Sequence, residues 1–163
     1  MDLNLQWGDP LELRRSPSSA IYDVNVSEIP EAPGVYVFYR VHGDVKAALY
    51  VGKGENLQSR IRQQLNAVKL MKGIENALTG SRYLICANFQ RKSGQQLTCL
   101  PIIERALIRY YLSTKEGDEL LNIQGSRIKK HSLTSERPSS EPPSLCQAIR
   151  QTSSVRRAIT KST

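Results

Sequence analysis

The sequence predicts an α+β fold in which a small three-stranded antiparallel sheet is flanked by helices and followed by a disordered basic tail. Two runs rich in β-branched and aromatic residues, 34–41 and 47–51, enclose the turn sequence HGDVK, as in a β-hairpin. A third such run, 82–89, lies between two apolar patterns with helical spacing. After Gly125, serine, threonine and proline dominate and large apolar residues become sparse, which is typical of disordered segments.

The positive charge is concentrated towards the C-terminal end of the chain. The 163 residues include 23 Lys and Arg against 15 Asp and Glu, a formal net charge of +8. Residues 126–163 contain eight Lys and Arg and two Glu, so they contribute +6 and leave +2 for the rest. The length indicates one domain with a tail, and the charge favours a polyanionic partner, either nucleic acid or an acidic membrane surface.

The composition argues against several classes of protein. Three widely spaced cysteines, Cys86, Cys99 and Cys146, form neither a disulfide framework nor a zinc pattern. No apolar run approaches the roughly 20 residues of a membrane span, and residues 1–15 lack the apolar segment of a secretory signal. We therefore expect a cytoplasmic protein with reduced thiols, no membrane partner and no small-molecule cofactor.

Residues 1–32 form an N-terminal extension, in which LNLQW alternates like a short strand, and the hairpin follows it. Alternation along the first hairpin strand gives one face to Val35, Val37, Tyr39 and Val41, and the other to Tyr36, Phe38 and Arg40. On the return strand, the same rule groups Leu49 with Val51 and Ala48 with Tyr50.

The first helix is predicted to begin after Gly52 and Gly54 interrupt the second strand. Asn56 can cap its first turn, and the helix is expected to end near Gly73. Its apolar face consists of Leu57, Ile61, Leu65 and Val68, with Arg60 and Arg62 at the two borders. The third strand then groups Tyr83, Ile85, Ala87 and Phe89 on one face.

The second helix is predicted to begin at Pro101, since proline suits a first helical turn. Its buried stripe is predicted to comprise Ile102, Ile103, Ala106, Leu107 and Tyr110. Glu104 lies beside this stripe, one turn before Ile108. The sequence STKEGDE reads as a loop, and the apolar pattern ends at Asn122.

A sheet with a helix after its second and third strands collects six polar residues that suit phosphodiester cleavage: Tyr36, Tyr50, Lys53, Arg60, Glu104 and Asn122. In that reaction a water must lose a proton, the phosphorane charge must be stabilised, and the leaving oxygen needs an electrophile, often a metal. A tyrosine can accept the proton if neighbouring cations lower its pKa. An arginine fork suits phosphate oxygens, and one carboxylate can hold Mg²⁺, which keeps most of its waters.

Each of these residues also has a purely structural explanation. Strand tyrosines usually pack half-buried, Lys53 alone reads as a solvated loop lysine, and Arg60 alone as a surface residue beside an apolar stripe. Glu104 alone suits an exposed helix position, and Asn122 can end a structural element. Only their order and spacing favour a catalytic site.

That order resembles the GIY-YIG endonuclease family. The motifs that carry the resemblance are GVY, YVG, KGENLQSR, IIERALIRYY and LLN, between about Pro33 and Gly125. They are nearest in pattern to the N-terminal incision domain of the bacterial nucleotide-excision-repair nuclease. The resemblance implies a nuclease domain at residues 33–125, between the extension 1–32 and the tail 126–163.

The resemblance further implies a Mg²⁺-dependent endonuclease, in which Mn²⁺ can substitute, that cuts DNA to leave 5′-phosphate and 3′-hydroxyl ends. Tyr36 and Tyr50 match the two motif tyrosines, one of them the general base, and the place of Tyr36 in the first strand favours Tyr36 as that base. Lys53 matches a lysine near the scissile phosphate, Arg60 the arginine that stabilises the transition state, Glu104 the metal ligand, and Asn122 a supporting residue. We also expect nucleic acid to contact Arg62, Lys129 and Lys130.

The chain departs from the family pattern in two places. Gln64 occupies a position where the family often has a tyrosine or histidine, which leaves open a second proton-handling group; His42 in the hairpin turn could lie nearby. The STKEGDE loop lengthens the stretch between Glu104 and Asn122. Two alternatives remain open: a nucleic-acid-binding module of the same fold with weak catalysis, and a nuclease for RNA or single strands. The complete set of Tyr36, Tyr50, Arg60 and Glu104 argues against the first.

Overall fold

The computed structural model describes residues 3–16, 21–90 and 97–122. Expectations for the tail, including those for Lys129 and Lys130, lie outside these residues. The described part is α+β with antiparallel sheets. Its strands are β1 (Asn4–Trp7), β2 (Leu11–Glu12), β3 (Arg14–Arg15), β4 (Tyr22–Asp23), β5 (Gly34–His42), β6 (Val45–Gly54) and β7 (Ser81–Gln90). Its helices are α1 (Leu57–Leu65), α2 (Val68–Glu75) and α3 (Leu100–Leu112).

The main sheet has five strands, so the prediction of three was wrong. The three long strands are those predicted, in the order β7–β5–β6, but β1 and β2 both pair antiparallel with the outer edge of β7. The prediction of a strand at LNLQW is confirmed by β1. The extension hydrogen-bonds to backbone groups along β7, and its Leu5 and Trp7 cover part of the core. β7 is therefore protected from being an exposed edge strand.

The sheet separates two apolar layers, and β5 lies between them. Val35, Val37 and Tyr39 face α3, whereas Tyr36 and Phe38 face α1 and α2, so the predicted faces of β5 are confirmed. The five residues from Val35 to Tyr39 are all 1% exposed or less. Because both of its faces are buried, β5 is the central strand that supports the end of the hairpin.

Strict alternation fails on β6, because the pairing register shifts between Phe38 and Tyr39. Phe38 pairs with Tyr50 and Tyr39 pairs with Ala48, so Leu49 is the extra residue of a β-bulge. Ala48 and Val51 therefore face α3, while Leu49 and Tyr50 face α1. The predicted grouping of Leu49 with Val51 and of Ala48 with Tyr50 was wrong. The bulge turns Tyr50 to the same face as Tyr36.

The helical predictions need two corrections. The predicted helix after Asn56 is two helices, α1 and α2, separated at Asn66 and Ala67, and Val68 is 62% exposed rather than part of the buried face. The Asn56 cap is confirmed, since its side chain accepts a hydrogen bond from the Ser59 amide at 2.8 Å.

The buried stripe of α3 also differs from the prediction. Ile102 is 49% exposed and Ala106 is exposed, and the residues that pack on the sheet are Leu100, Ile103, Leu107, Ile108 and Tyr111. The helix begins one residue earlier than predicted, at Leu100. Its orientation places Glu104 between Leu100 and Ile108, one turn away on either side.

The segment after α3 returns to the free edge of β6. The Leu121 amide donates to the Leu49 carbonyl at 2.8 Å, opposite the bulge. Arg40 and Glu119 form a largely buried ion pair, with Arg40 Nε 2.8 and 2.7 Å from the two carboxylate oxygens. The predicted STKEGDE loop is thus tied to the sheet. None of the described helices has both the length and the apolar character that crossing a membrane requires.

Candidate active site

The predicted site residues meet at the end of the hairpin where β5 begins and β6 leads into α1. Tyr36 and Tyr50 stack with ring centroids 6.3 Å apart and planes at 27°, and Phe38 contacts both rings. Arg60, on the first turns of α1, faces Tyr36. A Cβ atom on Gly54 would lie 2.8 Å from the Arg60 Cβ, so glycine at this position allows α1 to start directly against the strand.

The two tyrosines have different environments. Tyr36 is fully buried, and its hydroxyl has no hydrogen-bond partner of normal geometry in the described part of the protein. Burial raises the pKa of Tyr36 above its ordinary value of 10, and Tyr50 raises it further, while the nearby Arg60 guanidinium acts in the opposite direction. Tyr50 is only partly buried. Solvent and substrate can therefore reach Tyr50 more readily than Tyr36.

Arg60 is held by two glutamines of its own helix. With the Gln64 amide oxygen turned towards it, the guanidinium donates to that oxygen from Nε at 3.2 Å and from Nη2 at 2.8 Å. Nη1 donates to the Gln63 side chain at 3.2 Å. In the sequence alone, Gln64 stands out only as a departure from a family pattern. Its spacing of four residues from Arg60, which makes the two side chains neighbours on a helix, was the signal for this contact.

Lys53 and Glu104 form an ion pair across the gap between β6 and α3. Lys53 Nζ lies 2.7 Å from Glu104 Oε2, and the side chains are 37% and 20% exposed. Lys53 pairs with Val35 in the sheet and so lies on the α3 face, opposite the tyrosines. Tyr36 pairs with Gly52, the residue before Lys53, so the ion pair and Tyr36 lie at the same end of the hairpin although they are on opposite faces of the sheet. The Glu104 charge also raises the pKa of Tyr36.

Glu104 provides the kind of ligand that a magnesium ion accepts, a partly exposed carboxylate with hard oxygen donors. Oε2 is engaged by Lys53, while no hydrogen bond to Oε1 is found among the described residues. The same residues contain no cluster of three or more His, Cys, Asp or Glu placed to hold a metal. The donor set thus fits an ion that takes one protein ligand and completes its shell with water and phosphate.

Asn122 supports the hairpin from its outer edge. Its amide nitrogen donates to the Val51 carbonyl at 2.7 Å and its oxygen accepts from the Val51 amide at 3.2 Å. The side chain thereby mimics a neighbouring strand at the residue between Tyr50 and Gly52. Its contacts are with backbone, so it acts on the site through the shape of β6.

Two residues considered for the site lie elsewhere. Arg62 is exposed on the outer side of α1, where it donates to Gln58 at 3.3 Å. His42 ends β5 at the hairpin turn, six residues from Tyr36 and so about 20 Å along the strand. His42 is therefore not the second proton-handling group.

Two open pockets of the described residues lie away from this site. One, of about 560 Å³, is lined by Pro10–Glu12, Arg14, residues 23–26 and Glu28, and one of about 360 Å³ is lined by residues 6–9, Leu11, residues 28–30, Cys86 and Asn88. Neither includes a predicted site residue. The candidate site lies instead at the hairpin edge, where Tyr50, Lys53 and Glu104 are partly exposed, as contact with a polymeric substrate requires.

Comparison with protein-family models, curated proteins and solved structures found no match for this chain.

Proposed function

We propose that the protein is a metal-dependent endonuclease that hydrolyses DNA phosphodiester bonds to 5′-phosphate and 3′-hydroxyl ends. The observation that carries the proposal is the meeting of Tyr36, Tyr50, Arg60, Lys53 and Glu104 at one end of the hairpin, although their chain positions span 69 residues. Packing of the core does not require two cations and a carboxylate at this edge. We further propose that residues 33–125 have the GIY-YIG nuclease fold and that the protein is cytoplasmic, consistent with free Cys86 and Cys99.

The charges at the edge suit a phosphate group. Lys53 and Arg60 bring two positive charges against the one negative charge of Glu104. The Arg60 fork is preorganised by neutral amides and can stabilise the charge that develops on the phosphorane. Lys53, as a flexible point charge, can leave Glu104 for a phosphate oxygen when substrate binds.

We assign the general base to Tyr50, in preference to Tyr36. A base must come within about 2.6–3.2 Å of the proton it accepts, and the partly exposed Tyr50 side chain can do so. Tyr36 is fully buried and its pKa is raised, so the phenol stays protonated and cannot accept a proton from water. In this assignment the phenolate form of Tyr50 takes the proton as the water oxygen bonds to phosphorus. The bond from phosphorus to the 3′ oxygen breaks, and that oxygen takes a proton from solvent to become the 3′-hydroxyl.

Glu104 would hold the metal ion, for which its carboxylate and partial exposure are suitable. A bound Mg²⁺ or Mn²⁺ supplies Lewis-acid stabilisation of negative oxygen in such reactions. The protein's own contribution at this position is to fix Glu104 on α3 between Leu100 and Ile108, which pack on the sheet. Rigid support of this kind keeps the carboxylate in reach of the hairpin edge.

One experiment tests the proposed function directly. Purified protein is incubated with plasmid, single-stranded DNA, branched DNA and RNA in the presence of Mg²⁺, Mn²⁺ or EDTA. Metal-dependent cuts in DNA, with product ends that ligase can rejoin without prior phosphorylation, are expected. Glu104→Gln is the control for a contaminating nuclease, because a contaminant would cut equally in both preparations.

The same experiment decides among the alternatives. Binding to DNA without cuts in any substrate would indicate a nucleic-acid-binding module of this fold. Cuts confined to RNA or to single strands would indicate a different nuclease specificity. The described residues of the site distinguish neither sugar nor strandedness, so the substrate panel is essential to the design.

A further inference from the structure

We infer that Gln64 is a positioning residue that holds the Arg60 guanidinium ready for a phosphate without neutralising it, an inference that rests on the proposed nuclease function. Gln64 lies four residues after Arg60 on α1 and is only 8% exposed, one of two buried polar or charged side chains among the described residues. A buried amide in an apolar layer requires a hydrogen-bond partner. Arg60 is that partner.

The geometry leaves part of the arginine fork available. A guanidinium has five N–H donors, and the two glutamines engage one on Nε, one on Nη2 and one on Nη1. The two glutamines therefore leave one N–H on each of Nη1 and Nη2, and the Tyr36 hydroxyl also lies close to the guanidinium. Two donors on neighbouring nitrogens match two oxygens of a phosphate. The glutamines thus fix the orientation of the guanidinium through three N–H groups, and the remaining two can donate to the substrate.

The choice of an amide over a carboxylate has an electrostatic consequence. The two glutamines that accept from Arg60 are neutral amides, and the Tyr36 phenol beside the guanidinium carries no carboxylate charge either. A glutamate in place of Gln64 would hold the guanidinium equally well but would cancel its charge and weaken its attraction for phosphate. A methionine would fill the same buried volume and hold nothing. Gln64 is the side chain that combines orientation with an undiminished positive charge.

The burial of Gln64 also explains why Gln64, rather than Gln63, determines the orientation of the Arg60 guanidinium. Gln63 is exposed and contacts Nη1 alone, whereas Gln64 is fixed by the layer beneath α1 and engages two nitrogens. An exposed side chain changes rotamer freely in water, so its hold on Arg60 is intermittent. Gln63→Met is therefore the matched comparison for Gln64→Met.

The test combines cleavage kinetics with a double-mutant cycle. Gln64→Met should lower kcat on the order of 10-fold or more, as misplacement of a catalytic group does, and Gln63→Met should lower it less. In the Arg60→Ala background, Gln64→Met should cause no further loss, because its effect acts through Arg60. Equal fractional losses in the two backgrounds would overturn the inference and make Gln64 a packing residue.

A second measurement separates this inference from the proposed function. The Arg60 Nε–H signal, identified by its loss in Arg60→Lys, should exchange slowly with solvent in the native protein and quickly in Gln64→Met. A rapidly exchanging signal in the native protein would overturn the Arg60–Gln64 contact whether or not the protein cuts DNA. A slowly exchanging signal in a protein that cuts no nucleic acid would instead overturn the proposed function and, with it, the catalytic purpose of the contact.

Discussion

Gly52 and Tyr36 lie so close across the hairpin that a Cβ atom on Gly52 would be 2.3 Å from both Cζ and Oη of Tyr36. The two residues are paired on neighbouring strands and share a face. The missing side chain therefore forms the slot that receives the buried phenol ring. This relationship joins the motifs GVY and YVG, since the glycine of YVG makes room for the tyrosine of GVY.

Gly52→Ala should destabilise the protein by about 1–3 kcal/mol, the range for overpacking of a well-packed core. The added methyl group must displace the Tyr36 ring and disturb its stack on Tyr50, so cleavage should fall as well. Thermal unfolding and plasmid cleavage measure the two effects. Gly8→Ala is the matched control, because its Cβ would meet only the Cys86 carbonyl at an ordinary 3.6 Å. If Gly52→Ala had the same melting temperature as the native protein, the idea that Gly52 makes room for the Tyr36 ring would be wrong.

The two tyrosines should respond differently to loss of the hydroxyl. Tyr50→Phe should lower kcat by about 100-fold or more, as expected for loss of a general base. Tyr36→Phe removes a buried hydroxyl without a hydrogen-bond partner, so it should keep most of the cleavage rate and gain up to about 1 kcal/mol of stability. Single-turnover cleavage and denaturant unfolding measure these effects. The reverse pattern of rates would assign the base to Tyr36.

The sequence alone predicted the long strands because β5 and β7 alternate regularly and the hairpin turn is marked by Gly43, which has a φ of 58°. It could not predict the Leu49 bulge. A bulge leaves no mark in an apolar run such as AALYV, whose residues suit either face, and the register is set by the pairing of β6 with β5. The bulge decides that Tyr50 faces Tyr36, so the central pair of the site depends on a feature that periodicity does not report.

The buried face of α3 was predicted wrongly for a similar reason. The segment LPIIERALIRYYL is apolar on more than one side, so the stripe through Ile102 and Ala106 and the stripe through Leu100 and Leu107 fit the helical period equally well. Packing on the sheet selects the second. The candidate site residues do not depend on this error, because order and spacing along the chain, rather than the packed face, were the basis for proposing them.

The Arg40–Glu119 pair should make stability depend on pH. The hydrogen bond from Arg40 lowers the pKa of Glu119 below its ordinary value of 4.5. A carboxyl with a lower pKa in the folded state contributes stability that is fully present above its unfolded pKa and is lost as the pH falls through the folded one. The free energy of unfolding should therefore decline below about pH 4.5 more steeply in the native protein than in Glu119→Gln.

At neutral pH, Glu119→Gln should cost about 3 kcal/mol, because the Arg40 side chain, 7% exposed, would lose its counter-charge. Glu75→Gln is the control. Glu75 pairs with Arg15, whose side chain is 72% exposed, so its loss should cost less than about 1 kcal/mol. Urea unfolding at several pH values measures both variants. Parallel pH profiles for the native protein and Glu119→Gln would show that the pair contributes nothing to the pH dependence.

Glu104→Gln should abolish metal-dependent cleavage while leaving the melting temperature and DNA binding nearly unchanged. The amide keeps the size of the side chain but is a poor ligand for a hard cation. DNA binding in EDTA should be at least as tight, because Lys53 is released from its ion pair. Glu31→Gln, at an exposed position, controls for the loss of one negative charge. Substantial Mg²⁺-dependent cleavage by Glu104→Gln would remove Glu104 from the site.

Lys53→Met should separate metal binding from catalysis. Lys53 competes for the carboxylate of Glu104, with Nζ 2.7 Å from Oε2, so its removal should raise Mn²⁺ affinity in the absence of DNA. The gain should be about two- to fivefold, in keeping with the small energy of a partly exposed pair. Cleavage should fall at the same time, because the phosphate loses a cation. Calorimetric titration with Mn²⁺ measures the affinity, and Lys72→Met, at an exposed position on α2, is the control. Unchanged or weaker Mn²⁺ binding by Lys53→Met would mean that the ion does not use the oxygen that Lys53 occupies.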